Sequence, residues 1–251
     1  MERKSVALTI AGFDPSGGAG VLADVRTFTA FEFNGVAAIT SLTFQNERKL
    51  FGAIHQAGAT VRGQVESLID RYSIACVKTG MLATGEIVRE VARLFREQQL
   101  PPPVVDPVMV STSGGRLIEE EAINVLTGEL FPVSRLVTPN IPEAERLTGR
   151  KITSEAQMHD AAAQIRNLGA SAVLVKGGHL TGKLSIDVLD DRGQVTVFRG
   201  ERIEGAELHG SGCMLSAAIA AGLGKGMTLE NAVGEAKRFV SEKLRTTVPR
   251  L

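Results

Sequence analysis

Hydrophobic positions along the chain follow two periods. Short, nearly unbroken apolar runs occur at 6–11, 36–44, 74–78, 104–110, 136–138 and 172–176. Runs of this length with little alternation predict strands covered on both faces. Between them lie longer stretches in which apolar residues recur every three to four positions, predicting helices at 17–31, 59–71, 86–98, 142–148, 155–168, 211–223 and 229–244. Val21, Leu22, Val25 and Phe28 make the stripe of the first helix, and Ile87, Val91 and Leu94 that of the third. Two further runs, 185–189 and 194–199, flank Asp190-Asp191-Arg192-Gly193 and predict a hairpin. Repeated strand–helix alternation points to an α/β fold with a mostly parallel sheet sandwiched by helices. No repeat, low-complexity tract or linker interrupts the 251 residues, so a single domain, 1–251, is expected.

Composition narrows the picture. Hydrophobic residues are 43% and charged residues 22% of the chain, an ordinary globular balance. Lys+Arg and Asp+Glu both number 28, which argues against nucleic acid or an anionic membrane as partner. No apolar run approaches the roughly 20 residues of a membrane span. The basic-then-apolar start of the chain ends in Asp14-Pro15-Ser16-Gly17-Gly18 and reads as a first strand rather than a leader. The two cysteines, Cys76 and Cys213, lie in dissimilar contexts, so no disulfide framework is expected and the cytoplasm is the default compartment.

In sheets of this kind, ligands sit beyond the carboxyl ends of the strands. The polar, glycine-rich stretches fall there: 14–20, Gln45-Asn46, 78–80, Asp106-Pro107, 111–115, 140–143, 176–179 and 209–213. Gly210-Ser211-Gly212-Cys213 opens a helix, whose unbonded first-turn amides and dipole attract phosphates. That field would favour the Cys213 thiolate. The same glycines also suit a loop packed tightly against a neighbour, with Cys213 as a small core residue. The Gly12–Gly20 loop lacks G-x-G-x-x-G spacing, which excludes a dinucleotide fingerprint. Gly12 lets a ligand approach the backbone, and Asp24 lies one turn into the following helix. Gly177-Gly178-His179-Leu180-Thr181-Gly182-Lys183 imitates a phosphate loop, but Leu184 replaces its metal-binding hydroxyl and a strand follows. Lys176, at a strand end, is the better phosphate partner. Asp106 and Glu143 each follow a strand and are candidate Mg²⁺ ligands, directly or through water. Asn140 and Glu143 also fit a simple helix cap. His179 and His209 have no metal-ligand spacing partner and read as loop polar residues, His209 near the phosphate.

Taken together, seven blocks are in register: Gly12–Gly20, Gln45-Asn46, Lys78-Thr79-Gly80-Met81-Leu82, Asp106-Pro107-Val108-Met109, Thr138–Glu143, Lys176–His179 and His209–Cys213. Over about residues 5–240 the chain closely resembles the hydroxymethylpyrimidine/phosphomethylpyrimidine kinases, the thiamin-pathway branch of the ribokinase-like superfamily. The resemblance implies a three-layer α/β/α ribokinase-like fold, ATP as co-substrate, Mg²⁺, and a homodimer. It implies phosphorylation of 4-amino-5-hydroxymethyl-2-methylpyrimidine and then of its monophosphate. Cys213 matches the family's proposed base and Gly210, Ser211, Gly212 and Cys213 its anion hole. Gln45, Asp24 and Met81 match the pyrimidine pocket, with Val108 expected against the ring. Asp106, Asn140 and Glu143 match the Mg²⁺–phosphate region, Lys176 a contact to ATP phosphates, and Lys237 a position near the nucleotide. Phe13 stands where the family usually has Ser or Thr, and Thr112 where it often has Lys. Two rivals follow: a pyridoxal kinase on the same fold, and a catalytically silent ligand-binding protein.

Overall fold

The computed structural model describes residues 5–46, 48–110, 114–178, 180, 182, 184–203 and 208–247. Its strands are β1 (Val6–Phe13), β2 (Asn34–Gln45), β3 (Leu50–His55), β4 (Ile74–Thr79), β5 (Val104–Val105), β6 (Leu136–Val137), β7 (Ala172–Lys176), β8 (Leu184–Asp191) and β9 (Gln194–Glu201). They form one sheet in the order β3-β2-β1-β4-β5-β6-β7-β8-β9. β2, β1, β4, β5, β6 and β7 run parallel, while β3 at one edge and the β8–β9 hairpin at the other are antiparallel. The helices are α1 (Gly20–Ala30), α2 (Gly58–Arg71), α3 (Gly85–Glu97), α4 (Glu120–Val125), α5 (Ile141–Thr148), α6 (Glu155–Arg166), α7 (Ser211–Gly224) and α8 (Leu229–Thr247).

Two cores make the three layers. One face of the sheet is covered by α2 through α6, through side chains such as Val61, Ile87, Val91, Ile141 and Ile165. The other is covered by α1, α7 and α8, through Phe28, Leu215, Ile219 and Val233. Small residues let α7 sit close beneath the sheet centre: Ala217, Ala218, Ala220 and Ala221 are all buried. A side chain on Gly222 would come within 2.9 Å of Ala232 Cβ in α8. No helix among the described residues is long and apolar enough to cross a membrane.

The structure departs from the expected elements in four places. β3 is an additional edge strand, paired with β2 from Ser41↔His55 to Gln45↔Leu50. β5 stops at Val105, because Pro107 cannot donate to a ladder and the Val108 amide turns back onto the Asp106 carbonyl. α1 starts at Gly20, since Asp14 captures the amides of Ser16, at 2.9 Å, and Ala19, at 2.9 Å, and so holds 14–19 as a loop. α4 runs on through a π turn, Leu126–Leu130, and a 3-10 turn, Phe131–Val133, where no helix was predicted.

The chain lays β2 on one side of β1 and β4 on the other, so the strand order reverses at β1. A crevice opens beyond the carboxyl ends at such a reversal. Here it collects the ends of β1, β4 and β5 and the N-terminus of α7.

Candidate active site

Two glycine loops press together at the crevice, and their backbones need glycine. Gly20 has φ +59° and a Cβ there would lie 2.2 Å from the Gly12 carbonyl oxygen. Gly210 has φ +79° and its Cβ would lie 2.1 Å from the Gly18 carbonyl oxygen. Asp14, buried, joins the loops: Oδ2 accepts from Ala19 N–H and faces His209 Nε2 at 2.9 Å. Burial pushes the Asp14 carboxyl up, but the hydrogen bonds from Ser16, Ala19 and His209 outweigh it and leave it below the usual range. The His209 ring fills the space a Gly18 side chain would need, with Cδ2 2.4 Å from that Cβ position. His209, expected near the phosphate, thus faces Asp14 through Nε2, and its ring staples the loops.

This staple sets the N-termini of α1 and α7 side by side. In the first turn of α7, the amides of Gly212 and Cys213 have no carbonyl one turn back to bond. The Ser211 amide bonds the Leu208 carbonyl at 3.1 Å, and the Met214 amide closes the first full helical turn, 2.9 Å to the Gly210 carbonyl. The backbone N–H of Gly20 points to the Cys213 thiol. Two effects oppose each other at this sulfur. Burial pushes the Cys213 thiol up to about 11, although nearby Lys78 pulls the other way.

Lys78 is the residue the sequence reading passed over. It is a fully buried lysine at the end of β4, and both Asp24 oxygens take its ammonium, at 2.8 and 3.0 Å. Thr9 Oγ1 donates to Asp24 Oδ2 at 2.6 Å. Burial works against the charged lysine, but the Asp24 carboxylate outweighs it and raises Lys78 above its ordinary value. Burial likewise drives the Asp24 carboxyl upward, opposed by Lys78 and Thr9. Asp24, expected in the substrate pocket, has no exposed surface of its own. It holds Lys78, and Lys78 projects charge toward Cys213. A lysine inside an apolar run was the available signal.

Asp106 and Lys176 meet on the other side of α7. Lys176 Nζ donates to Asp106 Oδ1 at 2.9 Å, Ser216 Oγ to Oδ2 at 3.3 Å, and Thr138 Oγ1 to Oδ1 at 3.4 Å. Burial raises Asp106, but Lys176 and Lys78 together hold it below the usual carboxylate range. A Cβ on Gly212 would lie 3.3 Å from Lys176 Nζ and 3.7 Å from Asp106 Oδ2, so ammonium and glycine loop border one space. Asn140 and Glu143 form a reciprocal capping box at the start of α5. Glu143 Oε2 accepts from Asn140 N–H at 2.9 Å and Oε1 from Met109 N–H at 3.4 Å. Burial lifts the Glu143 carboxyl to about 7, with the Asp106 charge adding to it and Lys176 opposing it.

An apolar wall stands beside the glycine loops. Gly12 is backed by Met81, whose Sδ would lie 3.0 Å from a Gly12 Cβ. Met81 packs with Ala83 and Leu117, and with Val108, Leu50 and Ala53 at the margin. Gln45 ends β2 opposite Leu50. Thr40 Oγ1 fixes the Met81 carbonyl at 2.6 Å, and Thr43 Oγ1 that of Phe13 at 2.8 Å.

Lys237 lies one step removed from the site. Its ammonium bonds Asp187 Oδ2 and the Ser185 carbonyl, while Asp187 Oδ1 accepts the Gly177 amide at 3.0 Å. Lys237, expected near the nucleotide, thus supports the turn after Lys176. Thr112 and His179 lie outside the described residues.

Asp106 and Glu143 supply only oxygen donors, which suits a hard cation. Among the described residues no group of three or more His, Cys, Asp or Glu gathers to hold a metal. The set therefore fits Mg²⁺ that keeps water and phosphate as its remaining ligands, and does not resemble a self-sufficient protein cage.

A family model described as Phosphomethylpyrimidine kinase matches residues 14–250. The hydroxymethylpyrimidine/phosphomethylpyrimidine kinase of Aquifex aeolicus is 40% identical over 242 residues, covering 96% of this chain and 95% of that one. The thiamine biosynthesis bifunctional protein ThiED of Geobacter sulfurreducens is 42% identical over 242 residues. That alignment covers 96% of this chain but 49% of the relative, so the chain spans about half of ThiED. Among solved structures, an ADP complex of Bacillus subtilis pyridoxal kinase superposes with a TM-score of 0.88 at 34% identity, covering 95% of this chain and 91% of that one. The glycine loops, the buried lysine pairs and these likenesses agree: the chain belongs to the phosphomethylpyrimidine kinase family, on a three-layer ribokinase-like fold.

Proposed function

We propose that this chain is an ATP-dependent kinase that phosphorylates 4-amino-5-hydroxymethyl-2-methylpyrimidine and then the resulting monophosphate, in thiamin biosynthesis. The observation that carries the reading is the meeting of the α7 glycine loop with Lys176 and Asp106 around one space, beside the Gly12–Met81 wall. The ring lies against Met81 and Val108, and Gln45 reaches its polar edge. The amides of Gly212 and Cys213, with Lys176, hold the phosphoryl oxygens where charge develops. Mg²⁺, held through Asp106 and Glu143, neutralises phosphate charge when bound. Asn140 and Lys237 act at second hand, through Glu143 and Asp187.

Phosphoryl transfer depends chiefly on positioning and electrostatics. As the hydroxymethyl oxygen bonds phosphorus and the bond to the ADP oxygen breaks, the hydroxyl proton passes to Cys213 Sγ. With a thiol at about 11, the thiolate is a minor form near neutrality and a correspondingly strong base. In the second phosphorylation the attacking phosphate oxygen is already ionised, so it depends less on Cys213.

A homodimer is part of this reading. Leu42, Phe44, Phe51 and Ile54 are exposed apolar side chains on the β2–β3 hairpin and offer a self-association surface. The cytoplasm is the expected compartment for a chain whose two cysteines stand unpaired.

The test is mass spectrometry after incubation with Mg·ATP and equal amounts of the hydroxymethylpyrimidine and pyridoxal. Pyrimidine mono- and diphosphate in excess over pyridoxal phosphate is the expected result. Pyridoxal phosphate alone moves the assignment to the pyridoxal kinases, one of which shares the fold at a TM-score of 0.88. No product from either leaves a binding protein.

A further inference from the structure

The ion pair between Lys176 and Asp106 has a second consequence, which rests on the kinase reading for its biological meaning but not for its test. Lys176 Nζ sits 2.9 Å from Asp106 Oδ1. A divalent cation approaching that carboxylate needs an oxygen at roughly 2.1 Å, and cannot share the position with an ammonium. Nearby acceptors are partly engaged: the Ser216 hydroxyl lies 3.3 Å from Oδ2, and Glu143 already accepts the amides of Asn140 and Met109. Lys176 is also the countercharge to Glu143.

The lysine backbone cannot shift to make room. Its amide donates to the Pro139 carbonyl at 2.8 Å, it bridges Asn140, and it pairs with Asp187 across β8. Only the side chain is free to swing. The glycine loop of α7 lies next to the ammonium, 3.3 Å from where a Gly212 Cβ would be. Bond rotations near its tip carry it from Asp106 toward an anion seated on the loop amides.

We propose that Lys176 is a charge latch: it occupies the metal-binding carboxylate against free divalent cations and leaves it only for a polyphosphate on the α7 loop. Metal and nucleotide binding are then reciprocally coupled, since whatever draws the ammonium away from Asp106 favours the cation there. The latch makes the protein a poor binder of bare Mg²⁺ and a good one of the metal–nucleotide complex.

The experiment is Mn²⁺ binding to the full-length protein without nucleotide, followed by the electron paramagnetic resonance signal of free Mn²⁺. Lys176→Met is expected to bind Mn²⁺ at least about tenfold more tightly than the unaltered protein, while binding ATP more weakly. Lys176→Arg, which keeps the charge, should stay close to the unaltered protein. Adding Asp106→Asn to Lys176→Met should abolish the gain. Lys176→Gln repeats the measurement if the methionine variant is unfolded by circular dichroism. Unchanged or weaker Mn²⁺ binding on loss of the lysine charge overturns the latch, as does a gain that survives Asp106→Asn. The product assay above is separate. A gain in Mn²⁺ affinity without pyrimidine phosphorylation keeps the latch and rejects the kinase reading, and the opposite pair of results rejects only the latch.

Discussion

Two lysine–aspartate pairs flank the glycine loop of α7, and they differ in what closes around them. Lys78–Asp24 is sealed: both side chains have 0% exposure, Thr9 satisfies a further lone pair, and the partners come from β4 and α1. Lys176–Asp106 is similar in length, yet the lysine is 13% exposed and the carboxylate 4%, at the mouth of the crevice. A sealed pair has no alternative partner, so breaking it strands a charge in the interior. An open pair can trade its partner for an incoming ion. The lesson is that equal ion-pair chemistry becomes framework or working part according to whether one wall is missing.

The strongest way to break this comparison is Lys78→Met. Leaving Asp24 buried and uncompensated should cost about 3–5 kcal/mol of folding stability. Pairing it with Asp24→Leu should recover most of that loss in urea unfolding. A single variant as stable as the parent would show that the sealed pair is no framework. Lys176→Met should shift the balance the other way, costing less stability than Lys78→Met while lowering kcat/KM on the hydroxymethylpyrimidine about 100- to 1,000-fold. Comparable losses of stability for both lysines would erase the distinction.

Cys213→Ala, between the two pairs, should lower kcat for the first phosphorylation at least about 100-fold and the second by less. Equal losses in both steps would remove the proton-acceptor role. The smallest effect concerns pH. Burial places the thiol at about 11, so its alkylation rate should climb through pH 9 and 10 without reaching a plateau near neutrality. Lys78 pulls that value down, so a folded Lys78 variant that loses the charge should react more slowly at a given pH. A faster reaction would mean that Lys78 does not reach the sulfur electrostatically.

Much of this was legible in the chain. The uninterrupted apolar run of β7 and the amphipathic stripe of α3 were placed within a residue or two, because each is set by local periodicity and by burial on one or both faces. β3 was not, since Leu50–His55 is an edge strand whose partly exposed residues carry no core signal. The shortness of β5 turned on one proline, and the start of α1 on hydrogen bonds from Asp14 that no window of sequence displays. Similarly, Asp106, Glu143 and Lys176 were named from their position at strand ends, where the fold class puts ligands, and Met81 and Val108 from the family resemblance. The contacts of Asp24 with Lys78 and of His209 with Asp14 were not legible in the chain, because each partner comes from a distant segment.

By itself, then, the sequence determined the alternation of strands and helices, the family, and the set of residues gathered at one edge of the sheet, since those follow from local pattern and chain order. Only the tertiary structure decided which charge meets which. Lys78 is 54 positions from Asp24, Lys176 is 70 from Asp106, and His209 is 195 from Asp14. The energy of a charge depends on its partner and on the dielectric around it, and both are set only when distant segments pack.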